Sequence, residues 1–267
     1  DTNSEWLAEN PYIRVKSEKK EIPLPNKIFI NRQNSSGMDI SESENLENLK
    51  RRLIDFEDKL IDAKSIYEGR EEDNKNVEKI FSISSKKEIG TVVFDNPKNI
   101  KQSLTKSLKT TWSNTSPNER SEILNKIANN IEEEPYELIY FLINEAGKTI
   151  QNAIDEIREA VDFLRYYSNQ ILKISDASDL EGPTGEENLI TYTSKGRFLC
   201  ISPWNFPVAI LIGQISAALV CGNKVIVKPS EHTSILGYLV VKKFHELGIP
   251  KDALELILGD GSYGETL

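Results

Sequence analysis

The stretch RFLCISPWNFPVAILIGQISAALVCGNKVIVKPSEH, residues 197–232, decides how the chain folds. Arg197 to Ile201 is a short apolar strand, closed off by Pro203 and Pro207. Val208 to Val220 is an apolar run of helix length, and Gly222-Asn223 turns the chain. Lys224 to Lys228 is a β-branched strand whose pattern suits burial on both faces. Continuing outward, Thr233 to Leu247 is an amphipathic helix, with Gly248 just past its end and Pro250 beyond. Leu254 to Leu258 is a third strand, running into Gly259-Asp260-Gly261-Ser262-Tyr263-Gly264. This β-α-β-α-β order predicts a parallel sheet with right-handed crossovers, and an exposed sheet edge after Leu258. Ligands of such sheets bind at the carboxyl ends of strands, where the three polar or glycine-rich segments of this region lie.

Upstream the pattern is helical. Ile89 to Phe94 reads as a strand, followed by a Lys/Leu-patterned helix toward Trp112. Ser116, Pro117 and Glu119 form a capping signature ahead of the stripe Ile123, Leu124, Ile127 and Ile131. Pro135 opens a helix that Gly147 ends, and Ile150, Ile154, Ile157, Val161 and Leu164 line a further one, packed on the core rather than in a coiled coil. The first 90 residues are polar. Within them Ser41 and Glu44 read as a capping box for a helix with Leu46, Leu49, Leu53, Phe56 and Leu60 on one face, and Glu68 to Lys79 as a solvated charged run. The expected division is a connector over residues 1–86 and a folded part over 87–267. The fold class is α/β: an incomplete Rossmann-like parallel sheet preceded by a helical scaffold and a polar linker.

Composition narrows the function. The 267 residues carry 33 Lys+Arg against 42 Asp+Glu, a formal charge of -9 that repels phosphate backbones, so no nucleic-acid partner is expected. The apolar run Val208 to Val220 is shorter than the roughly 20 residues a transmembrane helix needs. Two cysteines, Cys200 and Cys221, give no disulfide framework and suit a reducing, cytoplasmic setting; both read as small core residues. With His232 at a helix start and His245 on an exposed helix face, they have no metal-ligand spacing, so no metal is expected. The start at Asp1 and the stop at Leu267 read as an excerpt of a longer chain.

Three segments carry candidate chemistry, and each has a bland alternative. Gly259 to Gly264 offers backbone N–H groups to a pyrophosphate, or is a glycine turn after a strand. Lys228, Ser230 and Glu231 offer a donor and a carboxylate to ribose hydroxyls, with Glu231 repelling a 2′-phosphate and so favouring NAD over NADP; otherwise they solvate a loop. Ser202 to Pro207 sets Trp204 and Phe206 in an exposed loop around Asn205, whose amide is a neutral donor suited to an oxyanion, or merely forms an Asx-type turn.

Ile201-Ser202-Pro203-Trp204-Asn205-Phe206-Pro207, followed by Ala217-Ala218-Leu219, Gly222-Asn223 and Lys228-Pro229-Ser230-Glu231, resembles the NAD(P)-dependent aldehyde dehydrogenase superfamily. Trp112, Pro117 to Arg120 and Glu145 to Lys148 are similar to further landmarks of that family. Glu145 to Thr149 leading to Asp155–Tyr167 resembles the glutamate-semialdehyde dehydrogenase module of bifunctional proline-catabolic enzymes. Ile22 to Pro25 and Asn34 to Asp39 resemble the linker of those enzymes after a flavin-dependent proline dehydrogenase module.

The resemblance implies NAD-dependent oxidation of L-glutamate γ-semialdehyde, with FAD confined to the preceding module. It implies Asn205 as the oxyanion donor, Ile201, Ser202, Pro203 and Trp204 beside the cofactor, Lys228, Ser230 and Glu231 at the adenosine ribose, and Gly261 and Gly264 near the phosphates. The glycine turn is one residue shorter than is common in the family, which makes Gly261 the firmer match. The nucleophilic cysteine and catalytic glutamate are implied beyond Leu267, so the isolated chain is expected to be inactive, its parent a homo-oligomer. Two rival readings remain: a non-catalytic remnant that binds NAD or a partner, and a dehydrogenase of another aldehyde.

Overall fold

The computed structural model describes residues 23–71, 73, 76–94, 110–175 and 179–265. The expected helix between Phe94 and Trp112 falls on 95–109, outside the described residues. In chain order the early elements are α1 (Ser43–Ile54), β1 (Ile61–Lys64), β2 (Ile66–Tyr67), β3 (Arg70–Glu71), β4 (Val77–Phe81) and β5 (Glu88–Val93). The helical scaffold is α2 (Pro117–Glu133), α3 (Tyr136–Asn144) and α4 (Ile150–Ser175). After the short pair β6 (Asp179–Leu180) and β7 (Asn188–Leu189) comes the alternating unit β8 (Arg197–Ile201), α5 (Ala209–Val220), β9 (Lys224–Lys228), α6 (Ser234–Leu247) and β10 (Leu254–Leu256).

The main sheet has the order β3-β2-β10-β9-β8, with β8, β9 and β10 parallel as the alternation predicts. Every residue of β9 is buried, and Lys224 at its start is neutralised by Glu255 of β10 at 3.0 Å. The exposed edge is not where it was expected. β10 is covered by β2, which pairs antiparallel with it through Ile66 and Leu256. Among the described residues the sheet instead ends at β3 on that side and at β8 on the other, where Phe198, Leu199 and Ile201 are exposed. A second sheet, β1-β5-β4, packs nearby and buries Ile61, Ala63, Ile89 and Val92.

The charged run Glu68 to Lys79 is not a simple solvated loop, because it contains β3 and the start of β4. Glu68 and Gly69 both have positive φ (50° and 76°), which makes a two-residue hairpin turn whose twist suits its strands. The charges stay hydrated because these are edge strands, where charged side chains are favoured. Helix α1 also differs from expectation. It has no capping box: its N-cap is Glu42, and the Ser41 hydroxyl donates to Asp39 at 2.7 Å instead. It stops at Ile54, so Leu60 lies beyond it and is exposed; Asp55, Glu57 and Asp58 crowd the negative end of the helix dipole. Leu49 still reaches the core, and Leu53 and Phe56 pack against it. His245 is half-buried rather than exposed, with Nε2 at 2.9 Å from the Leu254 carbonyl oxygen, and burial lowers its pKa.

In the scaffold, the Ser116/Glu119 capping box forms as predicted, and Leu124, Ile127 and Ile131 are buried. Gly147 turns the chain after α3 at φ +71°, where the Lys148 N–H returns to the Leu142 carbonyl at 3.0 Å. Residues 31–38 strap across α2 and α4. The Ser35 N–H donates to Asp162 at 2.6 Å, the Ser36 N–H to Glu132 at 2.8 Å, and Asn169 Nδ2 to the Asn31 carbonyl at 2.8 Å.

The crossover helices depend on scaffold side chains. Their terminal backbone groups have no partner within the helix and are buried from water. At the end of α5, Trp112 Nε1 donates to the Leu219 carbonyl at 2.6 Å, Arg120 Nε to Val220 at 2.8 Å and Asn223 Nδ2 to Ala218 at 3.0 Å. At the start of α6, the two carboxylate oxygens of Glu145 accept the N–H groups of Ile235 and Leu236 at 2.8 and 2.9 Å. Burial pushes the Glu145 carboxyl up to about 8, against the pull of those two N–H groups.

Two stability predictions follow from these caps. Trp112→Phe removes one of two donors to the Leu219 carbonyl, which keeps the Gly222 N–H at 2.8 Å, and lowers unfolding stability by about 0.5–1.5 kcal/mol in urea titration; an unchanged midpoint shows that the indole bond contributes nothing. Because the folded carboxyl of Glu145 titrates above its unfolded value, its contribution is greatest below about pH 4.5 and is lost as pH rises toward about 8. The stability of the native sequence relative to Glu145→Gln should therefore fall by on the order of 1–3 kcal/mol between pH 5 and pH 8, and a difference that is flat with pH contradicts the shift.

Candidate active site

The carboxyl ends of β8 and β9 are joined by the Ser202 N–H, which donates to the Lys228 carbonyl at 3.2 Å. Beyond β8 the chain forms the 202–207 loop. The Ile201 carbonyl accepts Gln214 Nε2 at 3.1 Å, and Ser202 is buried with its Oγ unpartnered. Pro203 is exposed, whereas Pro207 is buried and leads into α5. Between them Trp204 is 60% exposed and Phe206 41%. Asn205 is exposed, and its Oδ1 accepts the Phe206 N–H at 3.1 Å, which is the local turn geometry. Its amide Nδ2 has no partner among the described residues, which leaves that donor free.

Lys228 ends β9 at 4% exposure, with Nζ 3.3 Å from the Pro229 carbonyl oxygen. Burial lowers its pKa, while the negative charges of Glu231 and Asp260 hold it up. Ser230 caps the short turn Glu231–Thr233, its Oγ accepting the His232 N–H at 3.3 Å. Glu231 is half-buried, and Thr233 is buried with its hydroxyl unpartnered. After β10, Gly261 and Gly264 lie in a short 3₁₀ turn, Gly261–Glu265. The Asp260 carboxylate accepts the Ser262 N–H at 2.8 Å and its hydroxyl at 2.5 Å, bonds that lower its pKa. That N–H is thus already engaged, whereas the space where a Cβ would stand at Gly261 is open.

A cleft of about 880 Å³ is lined by Trp204, Glu231, Thr233 and Asp260 together with Phe81 and Ile83. Lys228 joins this group through its charge coupling to Glu231 and Asp260. Ile201, Ser202, Pro203, Asn205, Ser230 and Gly261 are near in sequence but do not line the cleft.

Residues missed by sequence reasoning hold the loop in place. Glu156, buried in α4, accepts the N–H groups of Val208 and Ala209 at 2.8 and 3.2 Å through Oε1. It thereby caps the start of α5, immediately after the 202–207 loop. Its Oε2 pairs with Lys148 Nζ at 2.7 Å, and that ammonium lies 4.1 Å from the centroid of the Phe206 ring. The available signal was an acid on the buried face of α4, three residues after Ala153 and four before Ala160.

Neither cysteine suits the role of nucleophile. Cys200 is buried, and its thiol is pushed up to about 11 by burial alone. Cys221 is exposed rather than in the core, because α5 has ended at Val220 and the chain is turning toward Gly222. Partial burial of its thiol raises its pKa despite the neighbouring Arg120 charge. No cluster of metal-binding side chains occurs among the described residues, and no described helix is long and apolar enough to cross a membrane.

The bifunctional protein PutA of Salmonella typhimurium is 36% identical over 244 residues, covering 90% of this chain and 18% of that protein. The 1-pyrroline-5-carboxylate dehydrogenase of Geobacillus kaustophilus is 40% identical over 152 residues, 57% of this chain and 30% of that one. The crystal structure of proline utilization A from Bdellovibrio bacteriovorus superposes with a TM-score of 0.83 at 26% identity, covering 92% of this chain and 26% of that one. The chain therefore spans less than a third of these relatives' length. The sequence profile described as "Aldehyde dehydrogenase family" matches residues 70–267, and the chain belongs to that family.

Proposed function

We propose that this chain supplies the dinucleotide-binding part of an enzyme that oxidises L-glutamate γ-semialdehyde to L-glutamate with NAD. The observation that carries the reading is the Asn205 loop at the end of β8, standing beside Lys228 and Glu231 at the end of β9. Similarity to PutA over 90% of the chain supports the substrate and a longer bifunctional parent. In that parent, residues 1–86 would connect to a preceding proline dehydrogenase module that binds FAD. A cytoplasmic homo-oligomer is part of the same reading.

The residues present fit a nicotinamide dinucleotide. Buried Lys228 offers a donor, half-buried Glu231 an acceptor, and the Ser202 and Thr233 hydroxyls are buried without partners. Lys228 and Glu231 would hold the ribose hydroxyls, with Ser230 shaping their turn, and Glu231 would repel a 2′-phosphate. Ile201 to Trp204 would border the cofactor, and Gly261 and Gly264 would let backbone approach the phosphates. When bound, the dinucleotide accepts the hydride.

The chain's own contribution to the chemistry is Asn205. Its Nδ2 would donate to the oxyanion formed when a thiolate adds to the aldehyde carbonyl. That thiolate is assigned to a residue outside positions 1–267. Cys200 is held protonated at neutral pH, and Cys221 follows a 12-residue helix whose other end carries the loop, a separation of about 18 Å.

In the full-length polypeptide, Asn205→Ala should lower kcat by on the order of 10²–10³ with little change in NAD affinity; near-normal turnover would reduce Asn205 to a turn residue. Glu231→Ala should weaken NAD binding about tenfold or more while improving the relative use of NADP. Unchanged preference between the two cofactors, measured by titration of each, would sink the ribose assignment.

A further inference from the structure

We propose that Lys148 is a positioning residue for Asn205, acting through the ring of Phe206. This inference rests on the role given to Asn205 above. The Asn205 Oδ1 accepts the Phe206 N–H at 3.1 Å, so the amide of Asn205 is oriented by the placement of its neighbour. Phe206 is 41% exposed, so packing covers only part of its ring. What lies against that ring is the Lys148 ammonium, 4.1 Å from the centroid, a cation–π contact on a side chain that is only 13% exposed.

Lys148 is itself fixed from two sides. Its backbone closes the turn at Gly147, and its Nζ is held at 2.7 Å by the fully buried carboxylate of Glu156. Glu156 simultaneously binds the N–H groups of Val208 and Ala209, the first peptides after Pro207. An unpaired ammonium beside the start of α5 would oppose the helix dipole; Glu156 cancels it while capping the same helix. The remainder of the loop is already tied down, at Ile201 by Gln214 and at Ser202 by Lys228. The Phe206 carbonyl also accepts the Ile210 N–H at 3.2 Å, so the freedom left lies in residues 204 and 205 and in the Phe206 ring, which the Lys148–Phe206 contact restrains.

The test uses the full-length polypeptide with Lys148→Met, Lys148→Arg, Phe206→Leu and Asn205→Ala, singly and combined. Phe206→Leu leaves the Glu156–Lys148 pair and the α5 cap intact, so it reads positioning even if Lys148→Met folds poorly. Lys148→Met and Phe206→Leu should each lower kcat by on the order of 10–100-fold, with NAD affinity changed less than about threefold. Lys148→Arg should recover most of the loss. Neither substitution should lower kcat further once Asn205 is alanine, and both should speed backbone hydrogen exchange in peptides spanning 202–207. Unchanged kcat in Phe206→Leu, or losses that persist in full in the Asn205→Ala background, overturn the positioning role while leaving the proposed function intact. Should Asn205→Ala itself turn over normally, the catalytic reading fails instead. Hydrogen exchange then decides alone whether Lys148 orders the loop, unchanged exchange overturning it.

Discussion

The rest of the structure depends on how the two ends of α5 are satisfied. This helix is buried along most of its length, so its first N–H groups and last carbonyls have no water to bond. Each unmade bond of that kind costs about 1–3 kcal/mol. The scaffold supplies the missing partners with the sign the helix dipole requires: a carboxylate, Glu156, at the start, and the donors Trp112 and Arg120 at the finish. Glu145 accepts the first N–H groups of α6, although burial keeps it protonated up to about pH 8. The crossover helices and the helical scaffold are therefore not independently satisfied layers. The scaffold completes hydrogen bonding that the sheet unit leaves open, through partners between 52 and 107 residues apart in the chain.

This arrangement also serves the site. Helix N-termini attract anions, and the sheet's ligand-binding side has two of them. Both are filled by acidic side chains of the protein itself, Glu156 and Glu145. On the proposed reading, a dinucleotide arriving at the ends of the strands would meet the polar groups of β9 and its following turn, Lys228 and Glu231, rather than competing for the starts of α5 and α6. The buried pair Lys224–Glu255 sits at the opposite end of β9, bonded at 3.0 Å and screened from solvent, so it fixes strand pairing without contributing charge to the cleft.

Much of this was legible in the sequence. The parallel unit could be read because β-branched strands, an apolar run and a glycine-ended amphipathic helix alternate within 62 residues, 197–258. Ser116, Pro117 and Glu119 marked a helix start because capping is decided within four residues. The hairpin at Ile66–Glu71 was not legible: strands of two residues have no alternation to display, and their stabilising partner, Leu256, is distant. Glu145 and Glu156 were hidden for a similar reason, since a cap supplied from another helix leaves no local spacing. Cys221 was misjudged because a one-residue shift past a helix end moves a side chain from core to surface. At the site itself, Trp204, Lys228, Glu231 and Asn205 were visible as a string of unusual residues at strand ends, but the support behind them was not.

The strap over α2 and α4 is attached chiefly by peptide groups: the N–H groups of Ser35 and Ser36 are gripped by Asp162 and Glu132, and the carbonyl of Asn31 by Asn169. Recognition of this kind is indifferent to the side chain at exposed Ser36 and strict about those on the helices. Substitutions at exposed Ser36 that preserve an N–H keep the grip and proline does not, whereas Ser35 is buried with its hydroxyl accepting the Gly37 N–H at 3.2 Å and admits little change.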